Sequence, residues 1–427
     1  MTIDVEPPEG VETRHTNLTF STWEDISNYT AKTQDPQMKP TPEIEAKARE
    51  LTTDADDVWS KVKAIGDYVK DLRYASINMD LSNGGGYKPR EASEVFRVGY
   101  GDCKDKANLL RSMLKVVGIQ AYPVVVNATN NDAVHPNWPS TYHFNHCIAA
   151  VEVDASVESP AVIEDEDLGR ILFVDATSSL TPIGELPFAE QGGLTVIGKR
   201  GLDRLVRLPQ APPEANSTKR EIKAELLPNG GIIGFISDRY HGSKANSERG
   251  MRLRNDEKEY KAIFEKWIGA GNSSSAVKLH KVEDKAATDR SFEIDLEFAI
   301  PSYAKSMRGQ LLIFKPAILS RREGHPYRKK SRSLPIRIKP SLLEEEAMIY
   351  IPIGFEVDDM KESIEIETEF ASYSATLEQV EDKLMYRRSL KFNDMIVPAE
   401  DYAEVQGFYR SIIEADQTPV VLARSKS

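Results

Sequence analysis

Through the first quarter of the chain, apolar residues recur every three or four positions, the period of an amphipathic helix. Ile44, Ala48 and Leu51 share one face over residues 42–51, and Val58, Val62, Ile65, Val69 and Leu72 keep step over residues 54–72. Residues 91–98 suit a further short helix. Behind Cys103 the spacing returns in Ala107, Leu110, Met113, Leu114 and Val117, with Asp102 as N-cap and Gly118 as stop. Ahead of these helices, residues 1–40 scatter Pro, Thr and Asp around Trp23 and Tyr29, and read as an extended lead-in with room for one short helix. Asn83-Gly84-Gly85-Gly86 interrupts the series as a loop.

After Gly118 the pattern changes to strands. Residues 121–126, 144–153 and 171–174 are rich in β-branched and aromatic residues. A polar loop, 127–141, lies between the first two strands, and an acidic connector with Asp154, Glu158, Glu164, Asp165, Glu166 and Asp167 between the last two reads as a solvated loop. Pro209, Pro212 and Pro213 mark a linker. Beyond it, strand signals dominate at 221–227, 232–236, 292–298, 336–338, 348–353 and 363–369, with helices near 255–267 and 399–415. The expected division is a lead-in at 1–40, an α+β core at 41–208, and a β-rich region at 218–427. That last region reads as one or two β-sandwich-like modules, at about 218–340 and about 341–427.

Composition narrows the function classes. Apolar residues make up 40% and charged residues 29% of 427, the balance of a globular chain. With 55 basic against 67 acidic residues, nucleic acid is not an expected partner. No apolar run reaches the ~18 residues of a membrane-spanning helix. The N-terminal stretch Met1-Thr2-Ile3-Asp4-Val5-Glu6-Pro7-Pro8 lacks the basic and apolar regions of a signal peptide, and localisation stays open, a periplasmic or secreted setting included. The two cysteines, Cys103 and Cys147, form no disulfide scaffold. No Cys-x-x-Cys or His-x-x-x-His pair suggests a metal, and nothing calls for a cofactor.

One cysteine, however, is placed for chemistry. Cys103 stands at the first turn of its helix, where free N–H groups and the helix dipole favour negative charge, here a thiolate. A nucleophile needs a base, and of seven histidines His146 stands out through strand register. If the strands at 144–153 and 171–174 form an antiparallel hairpin closed by Val153 opposite Leu168, His146 faces Asp175. Asp175 would then orient His146, which serves Cys103. His143 has the opposite parity, and Cys147 the parity of a small core residue. Lys104, Asp105 and Lys106 read as a charged turn facing solvent, with electrostatic tuning of Cys103 as the alternative. The loops at 84–86 and 130–141 either border a cleft or are plain surface. The basic stretch 321–332 reads as a solvated loop, with an anionic polymer or acidic protein as its alternative partner.

Tyr100-Gly101-Asp102-Cys103-Lys104-Asp105-Lys106-Ala107 resembles the nucleophile motif of transglutaminase-like bacterial proteins. Phe144-Asn145-His146 and Phe173-Val174-Asp175-Ala176-Thr177 resemble the histidine and aspartate blocks of that family, and Arg73-Tyr74 and Tyr87-Lys88-Pro89 also look like it. The tail Tyr402-Ala403-Glu404…Phe408-Tyr409…Val420-Val421-Leu422 is similar to the end of larger members with flanking β domains. The resemblance implies a papain-like core, Cys103, His146 and Asp175 as catalytic residues, a protein or peptide substrate, and a β domain ahead of the core that this chain starts too late to include. Peptidase or amidase hydrolysis through a thioester is the leading expectation. A catalytically silent interaction scaffold and a cross-linking transglutaminase are the alternatives. Oligomeric state is not legible.

Overall fold

The computed structural model describes the chain apart from residues 1–19, 76–85, 131, 270–274, 322–323, 362 and 426–427. It divides into two compact units, one of residues 1–177 and 189–209, the other of 178–188 and 210–427.

The first unit begins with α1 (Trp23–Gln34), closed by a capping box between Thr22 and Asp25. This 12-residue helix falls where the reading of residues 1–40 left room for one short helix. Ser27 donates to the Ile197 carbonyl at 2.7 Å, which ties α1 to the sheet. Then follow α2 (Pro42–Leu51), α3 (Val58–Asp71), β1 (Arg73–Tyr74), α4 (Ala92–Val98), β2 (Tyr100–Gly101) and α5 (Cys103–Val116). Gly118, at φ +78°, ends α5 as expected of a glycine stop. The strands are β3 (Ala121–Val126), β4 (His146–Glu152), β5 (Val162–Asp165), β6 (Gly169–Val174), β7 (Leu194–Ile197) and β8 (Val206–Arg207), in the sheet order β5-β6-β4-β3-β7-β8. β5 lies inside the acidic connector, so part of that segment is an edge strand.

α5 packs against α2, α3, α4, β3 and β4, and every residue from Lys104 to Leu114 is buried. An amphipathic sequence can be enclosed on all sides only if its polar side chains find partners. Two of them do so here: Asn108 donates to the Gln37 carbonyl at 2.9 Å, and Arg111 to the Ala121 carbonyl at 3.2 Å and to Asp35.

In the second unit β9 (Ser217–Leu226), β10 (Ile232–Tyr240), β11 (Ala276–Asp284), β12 (Phe292–Ile300), β16 (Ser341–Tyr350), β18 (Ser363–Glu367), β19 (Ala371–Val380) and β20 (Lys383–Phe392) form one sheet, ordered β11-β12-β10-β9-β16-β20-β19-β18. β9 and β16 pair in parallel, and the remaining pairs are antiparallel. β9 and β16 stand on opposite sides of residue 340, so strands from both sides of that point share one ladder. A four-stranded sheet of β13 (Lys305–Met307), β14 (Leu311–Phe314), β22 (Val420–Arg424) and β17 (Phe355–Asp359) and a pair of β15 (Ile336–Ile338) with β21 (Met395–Val397) complete it. Three helices join them, α6 (Ser243–Arg254), α7 (Glu257–Gly269) and α8 (Tyr402–Asp416). Residues 178–188 belong with this unit because Asn246 donates to the Thr181 hydroxyl at 3.2 Å, Arg249 to the Leu180 carbonyl at 3.3 Å, and Lys339 to the Phe188 carbonyl at 3.2 Å. Within the basic stretch His325 and Tyr327 are anchored to Gln406.

Candidate active site

Cys103 opens α5, and its neighbours explain why the helix starts there. The Asp102 carboxylate accepts the Asp105 N–H at 3.2 Å, and Asp105 in return accepts the Asp102 N–H at 3.3 Å. A Cβ on Gly101 would meet the Asp105 Cβ at 2.7 Å, so the close approach requires glycine. Asp105 also accepts from the Arg90 N–H and Nε, at 2.8 and 2.9 Å, while Lys104 pairs with Asp102. Lys106 donates to the Lys70 and Leu72 carbonyls, satisfying the end of α3. Lys104, Asp105 and Lys106 are therefore buried structural groups rather than a solvent-facing turn, at 7%, 2% and 1% exposure. Cys103 itself is half-buried.

His146 is the first residue of β4, and its side chain is 13% exposed. Its Nε2 lies 3.4 Å from Asp175 Oδ1, 3.4 Å from the Thr177 hydroxyl and 3.7 Å from Glu190 Oε1. Burial works against a charge on the ring. The Asp175 carboxylate and the adjacent Cys103 sulfur overcome it, by hydrogen bonding and by charge, and push His146 up to about 11. Asp175 accepts the Thr177 N–H at 2.8 Å and its hydroxyl at 2.7 Å. Burial alone would raise its carboxyl, but His146 and Thr177 hold it below the ordinary range.

His146 and Asp175 meet by a register other than the expected one. β4 and β6 pair as Ala149 with Val174 and Glu152 with Ile171, two residues away from the alignment of Val153 with Leu168. The cause is β5, which adds a third strand between them in sequence, so the two are not a simple hairpin. A shift of two preserves the face of every side chain, where a shift of one would not. Asp175 consequently stays on the face of His146 but sits diagonal to it.

Cys147 is 4% exposed beside the Gln34 amide, at 3.8 Å, and burial pushes its thiol up. His143 is not on the strand: it closes the turn Thr141–His143, with Nε2 2.8 Å from the Trp138 carbonyl. The loop at 127–141 is held by Trp23, whose indole donates to the Pro136 carbonyl at 2.7 Å. Residues 84–85 of the glycine loop lie outside the described residues.

Two further side chains reach this site. Tyr74, 50% exposed, is carried alongside the motif by the parallel pairing of β1 with β2, Tyr74 opposite Gly101. Its phenol accepts the Cys103 N–H, and burial, then the charges of Cys103, Asp102 and Asp175, push it up, so the hydroxyl stays protonated. Glu190 is 2% exposed and stands in the turn before β7, where the Gly193 N–H bonds the Glu190 carbonyl at 3.1 Å. Tyr74 had a visible signal in the Arg73-Tyr74 segment; Glu190, in a polar Gln-Gly-Gly turn, had none. His146, Asp175 and Glu190 offer ligand atoms within 4.8 Å of one another, a spacing that also admits a metal ion.

Comparison with known proteins agrees with this architecture. Residues 45–156 match the family model described as the Transglutaminase-like superfamily. Residues 310–422 match one described as a domain of unknown function with solved structure, DUF3858. No curated protein gives a match. A solved structure described as "a putative protease" from Parabacteroides distasonis is similar in fold, with a TM-score of 0.54 at 13% identity, over 95% of this chain. The chain spans 59% of that protein's length. The α5 cysteine, the sheet behind it and the family match together make residues 45–156 a domain of the transglutaminase-like superfamily.

Proposed function

We propose that the chain is a cysteine-dependent acyl-transfer enzyme that hydrolyses amide bonds, a peptidase or amidase, with Cys103 as nucleophile, His146 as acid and base, and Asp175 as orienter. The observation that carries this reading is His146 held between the Asp175 carboxylate and the Cys103 sulfur. With Nε2 turned to Asp175, Nδ1 is the nitrogen left to exchange a proton with sulfur or substrate. The Cys103 thiolate adds to the amide carbonyl carbon, the His146 proton passes to the amide nitrogen, and the C–N bond breaks to leave a thioester. Water then adds to the thioester carbon while His146 takes its proton, and the C–S bond breaks to return the thiolate. Acylation removes the sulfur's charge, one of the influences that raises His146, so the ring stays neutral more readily and is available as a base when one is needed.

The Cys103 N–H, unused by the helix and able to turn from the Tyr74 phenol to substrate, and the Tyr74 hydroxyl are the proposed oxyanion donors. Tyr74→Phe should lower kcat ~10²-fold, as loss of one such donor does, with KM little changed. Alkylation of Cys103 generates no oxyanion and should keep its rate; an unchanged kcat would remove Tyr74 from the site.

The proposal as a whole is tested by Cys103→Ala. The variant should fold, lose labelling by a thiol probe in mildly acidic buffer, and lose turnover of amide substrates from a mixed peptide library. A wild-type thiol no more reactive than a model thiol would favour a silent scaffold. Product joined to an added amine, instead of water, would favour cross-linking.

A further inference from the structure

Glu190 brings a second carboxyl group to His146, and the hydrolytic cycle above gives it no task. Its Oε1 is 3.7 Å from His146 Nε2, its side chain is 2% exposed, and its Oε2 is sealed from solvent without a hydrogen-bond donor. An ionised carboxylate in that position would leave a buried anionic oxygen unsatisfied, next to a second carboxylate. Asp175 has the opposite surroundings: Oδ1 receives both Thr177 hydrogen bonds and faces the ring at 3.4 Å. One proton resolves the conflict. Placed on Glu190, it turns the orphaned oxygen into a donor and makes Asp175 its acceptor, as in carboxyl pairs that share a proton.

We propose that Glu190 is a neutral positioning residue, whose carboxyl O–H donates to Asp175 and fixes the carboxylate that orients His146. The titratable groups that bear on it are Asp175 and His146; Lys106 and Tyr74 feel Asp175 in turn, and Cys103 acts on His146. Burial, then the charge of Asp175, holds the Glu190 carboxyl well above the usual range, in accord with the geometry. The arrangement keeps a single negative charge facing the imidazolium. Two would strengthen its hold on the proton and hinder its donation to the leaving amine. This inference rests on the Cys103–His146–Asp175 reading.

Two substitutions and an infrared measurement test it. Glu190→Gln keeps a donor of the same shape and should retain kcat to within ~3-fold; Glu190→Ala leaves Asp175 without it and should lose ~10- to ~100-fold in kcat at nearly constant KM. In difference infrared spectra of wild type against Glu190→Gln at neutral pH, a protonated-carboxyl band should be present in the wild type and gone from the variant. The alkaline limb of the kcat profile should move outward in Glu190→Gln, which cannot ionise. Absence of the infrared band overturns the proposal, as does an Ala variant as active as the wild type. Zinc bound stoichiometrically by wild type but not by Glu190→Gln would also overturn it, in favour of a metal centre. If Cys103→Ala keeps wild-type turnover, the underlying reading fails instead, and a surviving infrared band then leaves Glu190 a structural proton only.

Discussion

His146→Ala is expected to lower kcat/KM for an amide substrate ~10³- to ~10⁴-fold while the fold survives, because the ring stands at the mouth of β4 and not in the core. The more discriminating result is the pH dependence of Cys103 alkylation. In the wild type His146 keeps its proton up to about 11, so an imidazolium accompanies the sulfur across the neutral range. Alkylation should then be faster in the wild type than in His146→Ala from about pH 6 to about pH 8, with the gap closing in alkali as the imidazolium loses its proton. Stability follows the same proton. A folded-state value raised from 6.5 means the His146 interactions contribute in full below that pH and are lost as pH climbs through about 11. Melting temperatures of wild type and variant should therefore differ most below pH 6.5 and converge in strong alkali. Superimposable alkylation profiles would remove His146 as the partner of Cys103.

The residues of this candidate site were legible because each leaves a local trace. Cys103 sits between a cap and an apolar period, and His146 and Asp175 sit at the ends of strands whose alternation fixes which face they present. Parity was recoverable even though register was not, since the strand that sets the register, β5, is written in acidic residues that look like a loop. Where stability comes from polar partners, the apolar pattern is silent. α6 carries Ser, Lys, Asn and Arg and buries little besides Ala245, Arg249 and Gly250; Arg249 holds it by bonds to Asp284 at 2.8 Å and to the Ser291 carbonyl at 3.1 Å. Lys104, Asp105 and Lys106 misled for the same reason: sequence shows their charge but not the carbonyls and carboxylates waiting for them. The parallel pairing of β9 with β16 joins residues more than a hundred positions apart, a contact that no local spacing encodes.

Arg220→Met is expected to destabilise the protein by ~3–5 kcal/mol, the range for breaking a buried ion pair from one side. Arg220 lies in β9 at 4% exposure, and its Nε and second guanidinium nitrogen each bind an Asp238 oxygen at 2.7 Å. The remaining nitrogen reaches the Ser320 hydroxyl at 3.0 Å and Glu345 at 3.4 Å, and the guanidinium plane lies 4.7 Å over the Trp267 ring. Burial opposes its charge, yet Asp238 and Glu345 hold it above its ordinary value. The network continues, because Glu345 is shared with Arg388 at 3.1 Å and Arg388 also binds Asp416 at 2.9 Å, on the last turn of α8. Methionine would fill the volume but leave Asp238, 2% exposed, with the Tyr240 hydroxyl and no cation to balance its charge. The companion Arg220→Met/Asp238→Leu removes both charges and should recover most of the loss, since a buried pair contributes little net stability over an apolar one. Urea unfolding of the two variants decides the matter: a single variant within ~1 kcal/mol of wild type, or a double variant no better than the single, would mean the charge on Arg220 is not what holds β9, β10 and β16 together.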